Sequence, residues 1–236
     1  MFVPMGVFMC NAAIVAGGLI GGRFGGKIPL SIKNVLPLIF GLCTVGIAIT
    51  CIVQVNTLGV VIISAIAGTI IGTALRLEDR VQGLFTSLIR KTKLDRNFQS
   101  EADMQYFITI TVIMCVGGAG IFGALNEGIT GDHALLAAKS ILDLFSAVIF
   151  AATLGYAVCL VGIFQCIILL ALFFCARFLM PLISPAMLGD FNACGGLITL
   201  AAGFKLCKMF DIKLVNLLPS LVLVLPVSWL WTFLPL

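Results

Sequence analysis

Residues 134–175 read ALLAAKSILDLFSAVIFAATLGYAVCLVGIFQCIILLALFFC, an apolar run whose only charged residues are Lys139 and Asp143. As one continuous helix at 1.5 Å per residue it would extend about 63 Å. The hydrocarbon core of a bilayer is about 30 Å thick. The run therefore predicts two membrane spans, 134–153 and 156–175, with a tight turn near Thr153-Leu154-Gly155. It lacks the alternation of outer-membrane barrel strands. In lipid every backbone polar group must be satisfied within its own segment, which leaves helices.

The rest of the chain has the same character. Further apolar segments cover about 3–22, 35–53, 58–75, 106–125, 188–204 and 214–234, which makes about eight spans in all. The 236 residues are 61% hydrophobic and 10% charged, with a mean hydropathy of +1.21. Soluble domains carry about 25% charged residues. This composition excludes a soluble globular enzyme, a disordered chain and a free nucleic-acid binder. The expectation is an all-α polytopic integral membrane protein, with residues 1–236 forming a single membrane domain. The short, glycine-rich segment 188–204 either spans or re-enters. Met1–Ile20 has no basic residue before its apolar run, and Arg23 and Lys27 follow it, so it reads as a retained first span rather than a signal peptide.

Loop positions set the topology. Arg23, Lys27 and Lys33 follow the first segment, Arg76, Arg80, Arg90, Lys91, Lys93 and Arg96 the third, and Lys205, Lys208 and Lys213 the seventh. Only Lys139 and Arg177 lie elsewhere. The Lys/Arg excess marks cytoplasmic loops, so both termini are expected outside the cytoplasm, periplasmic or extracellular, in a bacterial inner (plasma) membrane. Loop 76–105 places Val81, Leu84, Phe85, Leu88 and Ile89 at helical spacing before the basic run 90–93. This predicts an interfacial amphipathic helix on the inner leaflet; a solvated loop helix is the other reading.

Lys139 and Asp143 are one helical turn apart on one face, with Ser140 and Ser146 nearby. A charge inside a span costs about 2.5–3.5 kcal/mol on insertion scales. The pair must therefore face protein or water, either as an interhelical lock or as a polar site on a solute path. Asn126 and Glu127 end a glycine-rich fourth segment before Asp132, where acids at an outward mouth would attract cations. In the eighth segment Pro219 would free the carbonyl of Val215 beside Asn216. Lys139, Asp143, Glu127, Asn126, Ser140, Ser146 and Asn216 are the candidate ligands of a small solute or ion, between spans four, five and eight. Asn11 and Asn192 are weaker polar points, and Trp229 and Trp231 suit an interfacial belt.

No metal site is expected, because His133 is the single histidine and none of the nine cysteines has ligand spacing. The cysteines read as buried, reduced, small hydrophobes. No nucleophile–base constellation is visible, so neither an enzyme nor a cofactor is expected. The segments CTVGIAIT (43–50), CVGGAGIF (115–122) and CGGLITLA (194–201) look like internal repeats, the third running opposite to the first two, as in inverted-repeat transporters. Glycine-lined faces suggest a homo-oligomer.

Ile121–Asp132 (IFGALNEGITGD), Ala138-Lys139-Ser140 through Asp143, and Val215-Asn216-Leu217-Leu218-Pro219 resemble the YqgA-like bacterial inner-membrane proteins (DUF554). The resemblance covers nearly the whole chain. It implies a multi-spanning membrane protein with no assigned activity, for which transport and a link to biofilm behaviour have been suggested. It supplies no functional residues to carry over. The expected function is transport of a small solute or ion. A passive channel, or a non-transporting scaffold or signalling protein, is the alternative. The expected partners are the lipid bilayer, the solute and a second copy, with no nucleic acid.

Overall fold

Gly155 supplies the turn that the longest apolar run requires. In the computed structural model helix α7 (Ala134–Leu154) stops there with φ of +62°, a left-handed conformation that favours glycine. A 3-10 turn, Gly155–Val158, leads into α8 (Cys159–Leu179). The structure describes residues 3–91, 100–116, 118–179, 181 and 183–233. Among these the other helices are α1 (Met5–Phe24), α2 (Leu30–Ile52), α3 (Leu58–Ala74), α4 (Leu77–Lys91), α5 (Glu101–Val116), α6 (Gly118–Thr130), α9 (Pro185–Leu206) and α10 (Pro219–Trp231). No strand occurs among the described residues.

Six stretches of the described residues are long and apolar enough to cross a membrane, and up to seven if α3 and α4, bent by 52°, count as one span. One of the six, 134–178, contains the reversal at Gly155. Read as two passes, and with the bent α3–α4 pair also counted, it brings the pattern to the eight expected segments. The fourth is α5 followed by α6, one 30-residue stretch covering 101–130 and longer than the sequence suggested. Gly117, at its middle, lies outside the described residues. The seventh is a full 22-residue helix, α9, rather than a half-helix. The eighth differs from expectation: Leu214–Leu217 is a 3-10 turn and Pro219 opens α10. At a helix start proline kinks nothing, because its missing donor would have no partner there. The Val215 carbonyl is also not free, since Leu218 N donates to it at 3.2 Å.

Glycine contacts give the helix directions. A Cβ on Gly6, Gly17, Gly21 and Gly25 would strike Leu136, Leu144, Val148 and Ala152 in turn, so α1 and α7 run parallel. Gly18 meets Cys159 while Gly162 faces Asn11 and Ile14, so α8 is antiparallel to α1. Gly41, Gly196 and Gly189 pair α2 antiparallel with α9, and Gly59, Gly68 and Gly72 pair α3 antiparallel with α10. Each of the first three spans thus has an antiparallel partner among the last three, as alternate crossing of the membrane requires of spans five apart. The segments beginning at Cys43 and Cys194 are one of these pairs.

These glycines work inside the chain and carry no argument for a second copy. A methyl on Gly17 would sit 2.3 Å from the Leu144 carbonyl oxygen, which α7 cannot move without losing its register. Gly17→Ala is expected to cost about 1–3 kcal/mol through overpacking. Gly46, with nothing within 4 Å of the same probe, is the control. Thermal unfolding in detergent should show a clear loss for Gly17→Ala and none for Gly46→Ala; equal melting would refute the α1–α7 contact.

Helix α4 is the amphipathic helix expected in loop 76–105. It buries Phe85 and Ile89, with Phe85 edge-on to Phe164 of α8 at 5.6 Å, and leaves Arg90 and Lys91 exposed. Arg90 pairs with Glu101 at 2.9 Å. Thr92, Lys93 and Arg96 lie outside the described residues. All nine cysteines are free; Cys10, Cys51, Cys115 and Cys194 are buried, whereas Cys43 and Cys175 are exposed.

Candidate functional site

The charged residues of α7 face inward. Lys139 Nζ lies 2.5 Å from Asp143 Oδ2, and both side chains are 8% exposed. Gln165 of α8 donates from Nε2 to the same oxygen at 3.0 Å. Asp143 therefore holds one ammonium and one amide, which compensates its charge within the helix packing. Glycine makes the room: a Cβ on Gly120 of α6 would lie 3.1 Å from Lys139 Cε. Cys10 of α1 hydrogen-bonds to the Leu136 carbonyl at 3.2 Å, one turn before Lys139.

The pair opens on a cavity of about 80 Å³ between α2, α5, α6, α7 and α9. Its polar wall is Lys139, Asp143, Ser146 and Thr44; Pro37, Phe40 and Leu206 are among its apolar lining residues. On the side of the α6–α7 loop, a second cavity of about 430 Å³ lies between α2, α6, α7 and α9. Ile47 lines both. Along α7 the lining passes from Ala138 to Leu142 and Ser146, and along α2 from Gln54 through Ile47 to Phe40. The two cavities are thus stacked on one seam. The seam runs between the α1, α7 and α8 side of the molecule and the α2, α9, α10 and α3 side.

The structure gathers only some of the expected residues here. Asn126 and Asp132 line the second cavity, and Ser146 the one beside the pair. Ser140 turns back to donate to the Ala137 carbonyl. Glu127 is fully buried and accepts from Gly6 N at 2.8 Å, so it caps the start of α1. Asn216 is far along the fold from the pair: its Oδ1 accepts from Glu78 N at 3.0 Å, while Glu78 Oε2 accepts from Val215 N at 2.9 Å. The walls beside the pair therefore come from segments two, four, five and seven, and segment eight does not contribute.

Three residues went unread in the sequence. Gln165 is a neutral amide in an apolar run, and nothing local shows that it meets Asp143. Asp190 is fully buried near the start of α9 and accepts from Thr57 N at 2.6 Å, Asn56 N at 3.2 Å and Ser228 Oγ at 2.7 Å. Glu78 lies 3.8 Å from Lys205 Nζ. Glu127, Asp190 and Glu78 share one task. Each satisfies backbone donors at the beginning of a helical segment, where the first N–H groups have no intrahelical partner.

Beside Glu78, the exposed Asp79–Lys213 pair sits at 2.7 Å. The Lys213 hydrogen bond lowers the Asp79 carboxyl below its ordinary value, and Asp79 raises the Lys213 ammonium. Any stabilisation this pair gives is present at neutral pH. It fades as pH falls through the carboxylate range or rises through the lysine range. Exposed pairs contribute little, so Asp79→Asn should leave melting in detergent unchanged. Glu78→Ala, which strands the Val215 amide, should cost about 1–3 kcal/mol. A larger loss for Asp79→Asn than for Glu78→Ala would reverse this ranking.

Fold and site together define a multi-pass α-helical membrane protein with a buried ion pair on a central seam. The chain belongs to the family described as "Protein of unknown function (DUF554)", whose model matches residues 5–229. It is 38% identical over 232 residues to the "Uncharacterized protein YqgA" of Escherichia coli (strain K12), covering 97% of each chain. It is 23% identical over 222 residues to the "Uncharacterized membrane protein YdfK" of Bacillus subtilis (strain 168), covering 92% of this chain and 93% of that one. No solved structure matches it significantly.

Proposed function

We propose that this protein is a transporter of a small solute or ion, working at the seam between its two groups of helices. The observation that carries the reading is the Lys139–Asp143 pair, buried in the first half of α7 yet on the wall of a cavity, with a second cavity stacked on it. A purely structural ion pair gains nothing from bordering a void, since well-packed apolar residues often replace buried pairs without loss. A ligand-handling pair needs adjacent space and unused donors. Lys139 has three N–H donors and gives one to Asp143. Ser146 adds a hydroxyl on the same wall.

The seam between the two groups of helices, lined by both cavities, is where one group would rock against the other, as in alternating-access carriers. The distribution of Lys and Arg favours both termini outside, with the α4 side in the cytoplasm, in a bacterial inner membrane. A reporter active only in the cytoplasm, fused after Leu236, should be silent.

Purified protein in liposomes tests the reading. A carrier gives saturable, gradient-coupled uptake of one member of a panel of ions and small zwitterions. Single-channel current would instead indicate a passive channel. Absence of both, with a protein partner that co-purifies, would indicate a scaffold and overturn transport.

A further inference from the structure

We infer that the exposed side of α4 is a docking surface for an anionic glycerophospholipid, which it holds by the phosphodiester and an acyl chain. The inference does not rest on the transport reading. An open groove of about 840 Å³ runs along this side of the helix. Gly83 and Ser87, one turn apart, are its small residues; Leu84 and Leu88 line it beside them, and Arg80, Arg90 and Lys91 stand at its two ends. A Cβ on Gly83 would meet nothing within 4 Å, so the space between the basic ends is open to a headgroup.

Two observations point to lipid. The first is that the apolar sector of α4 is wider than the strip the protein covers. Leu77, Val81, Leu84 and Leu88 recur at steps of four, three and four, so they share one flank of the helix. The protein buries the adjacent Phe85 and Ile89 and leaves Leu84 60% and Leu88 39% exposed. Arg80, Leu84, Leu88 and Lys91 follow one another at steps of four, four and three, which puts a cation at either end of the exposed leucines. Among the described residues Arg80 and Lys91 form no ion pair, whereas Arg90 has Glu101 at 2.9 Å. The preference of basic loops for the cytoplasm accounts for the cations and leaves the leucines unexplained. Apolar side chains bordered by Lys and Arg are the pattern of a helix lying in a lipid interface, where the long basic side chains reach out to phosphates.

The second observation is depth. The chain reverses at Gly155 between two passes, so the start of α8 marks the membrane surface. Phe85 meets Phe164 edge-on at 5.6 Å, and Phe164 is the sixth residue of α8. That contact lies about 7.5 Å along α8 at 1.5 Å per residue. Interfacial helices sit about 5–10 Å into the boundary between headgroups and chains. At this depth the leucines of α4 meet acyl chains, and a soluble partner would reach only the basic ends. No described residue lining the groove is acidic. An anionic headgroup therefore fits it better than phosphatidylcholine, whose own ammonium offsets its phosphate.

The test uses the full-length protein, delipidated in detergent and titrated with phosphatidylglycerol or phosphatidylcholine, with bound lipid counted by native mass spectrometry. Phosphatidylglycerol is expected to bind the more tightly. Arg80→Gln with Lys91→Gln should weaken it about tenfold or more, since each cation near an anionic surface contributes about fivefold. That variant leaves the Arg90–Glu101 pair in place. Arg23→Gln with Lys208→Gln removes the same charge from other basic loops and should change nothing. Leu84→Gln keeps every charge and should still weaken binding several-fold, which a purely ionic contact would not show. Equal binding of the two lipids, equal effects of the two double variants, unchanged binding in Leu84→Gln, or displacement of the lipid by free glycerol 3-phosphate overturns the site.

Discussion

Lys139→Met alone is expected to destabilise the protein far more than Lys139→Met combined with Asp143→Leu. Removing one partner of a buried pair costs about 3–5 kcal/mol, because the remaining charge stays in a low-dielectric interior. In Lys139→Met, Asp143 keeps only the Gln165 amide. In Asp143→Leu, Lys139 loses its sole carboxylate. The double variant strands neither charge, only the buried Gln165 amide, and should melt about 1–3 kcal/mol below wild type. The stability order is read by thermal unfolding in one detergent. Flux in liposomes separates roles: the double variant should fold and not transport. Full flux in the double variant would remove the pair from the mechanism. Single variants as stable as the double would show that the pair is hydrated and not held as described.

Asp190→Leu is expected to produce the other large loss. Asp190 accepts from two backbone amides at the start of α3 and from Ser228 on α10, joining three helices at one carboxylate. Leucine leaves one buried donor and two part-buried ones unmade, and a buried unsatisfied group costs about 1–3 kcal/mol with the part-buried amides adding less. Several kcal/mol exceeds much of the margin of a typical fold, so little folded protein should be recovered. Asp190→Asn retains one acceptor oxygen and should fall between. Ser228→Ala removes a single partner and should cost about 1 kcal/mol, the usual net worth of one hydrogen bond. Recovery and melting temperature in detergent measure the series. An Asp190→Leu protein that melts with wild type would mean that α3 and α10 are not tied through this residue.

Much of the helix pattern was legible because lipid imposes it locally. A span needs about 20 apolar residues and must satisfy its own backbone, so hydropathy alone located each segment to within a turn or two. Gly155 was legible for the same reason: 134–175 is too long for one crossing, and a reversal needs a residue that tolerates positive φ. The Lys139–Asp143 contact was legible from four-residue spacing, which is a property of a single helix.

The errors share an opposite cause. Pro219 was read as a kink because the apolar run does not show where its helix begins; the 3-10 turn before it depends on Glu78, far away in sequence. Glu127 was placed at an open mouth from its position at the end of a glycine-rich segment, but the start of α1 lies against it.

By itself the sequence determined the all-helical membrane class, the order of the segments and the inward-facing pair, because each follows from rise per residue, the cost of charge in lipid and spacing within one helix. Only the tertiary structure decided that Gln165 completes the pair, that Asp190 ties α3 to α10, and that α2 and α9 close the cavity while Asn216 stands apart. Those contacts join residues on different helices. Between helices, partner choice is set by packing and glycine-sized close approaches, which leave no periodic signal in any one segment.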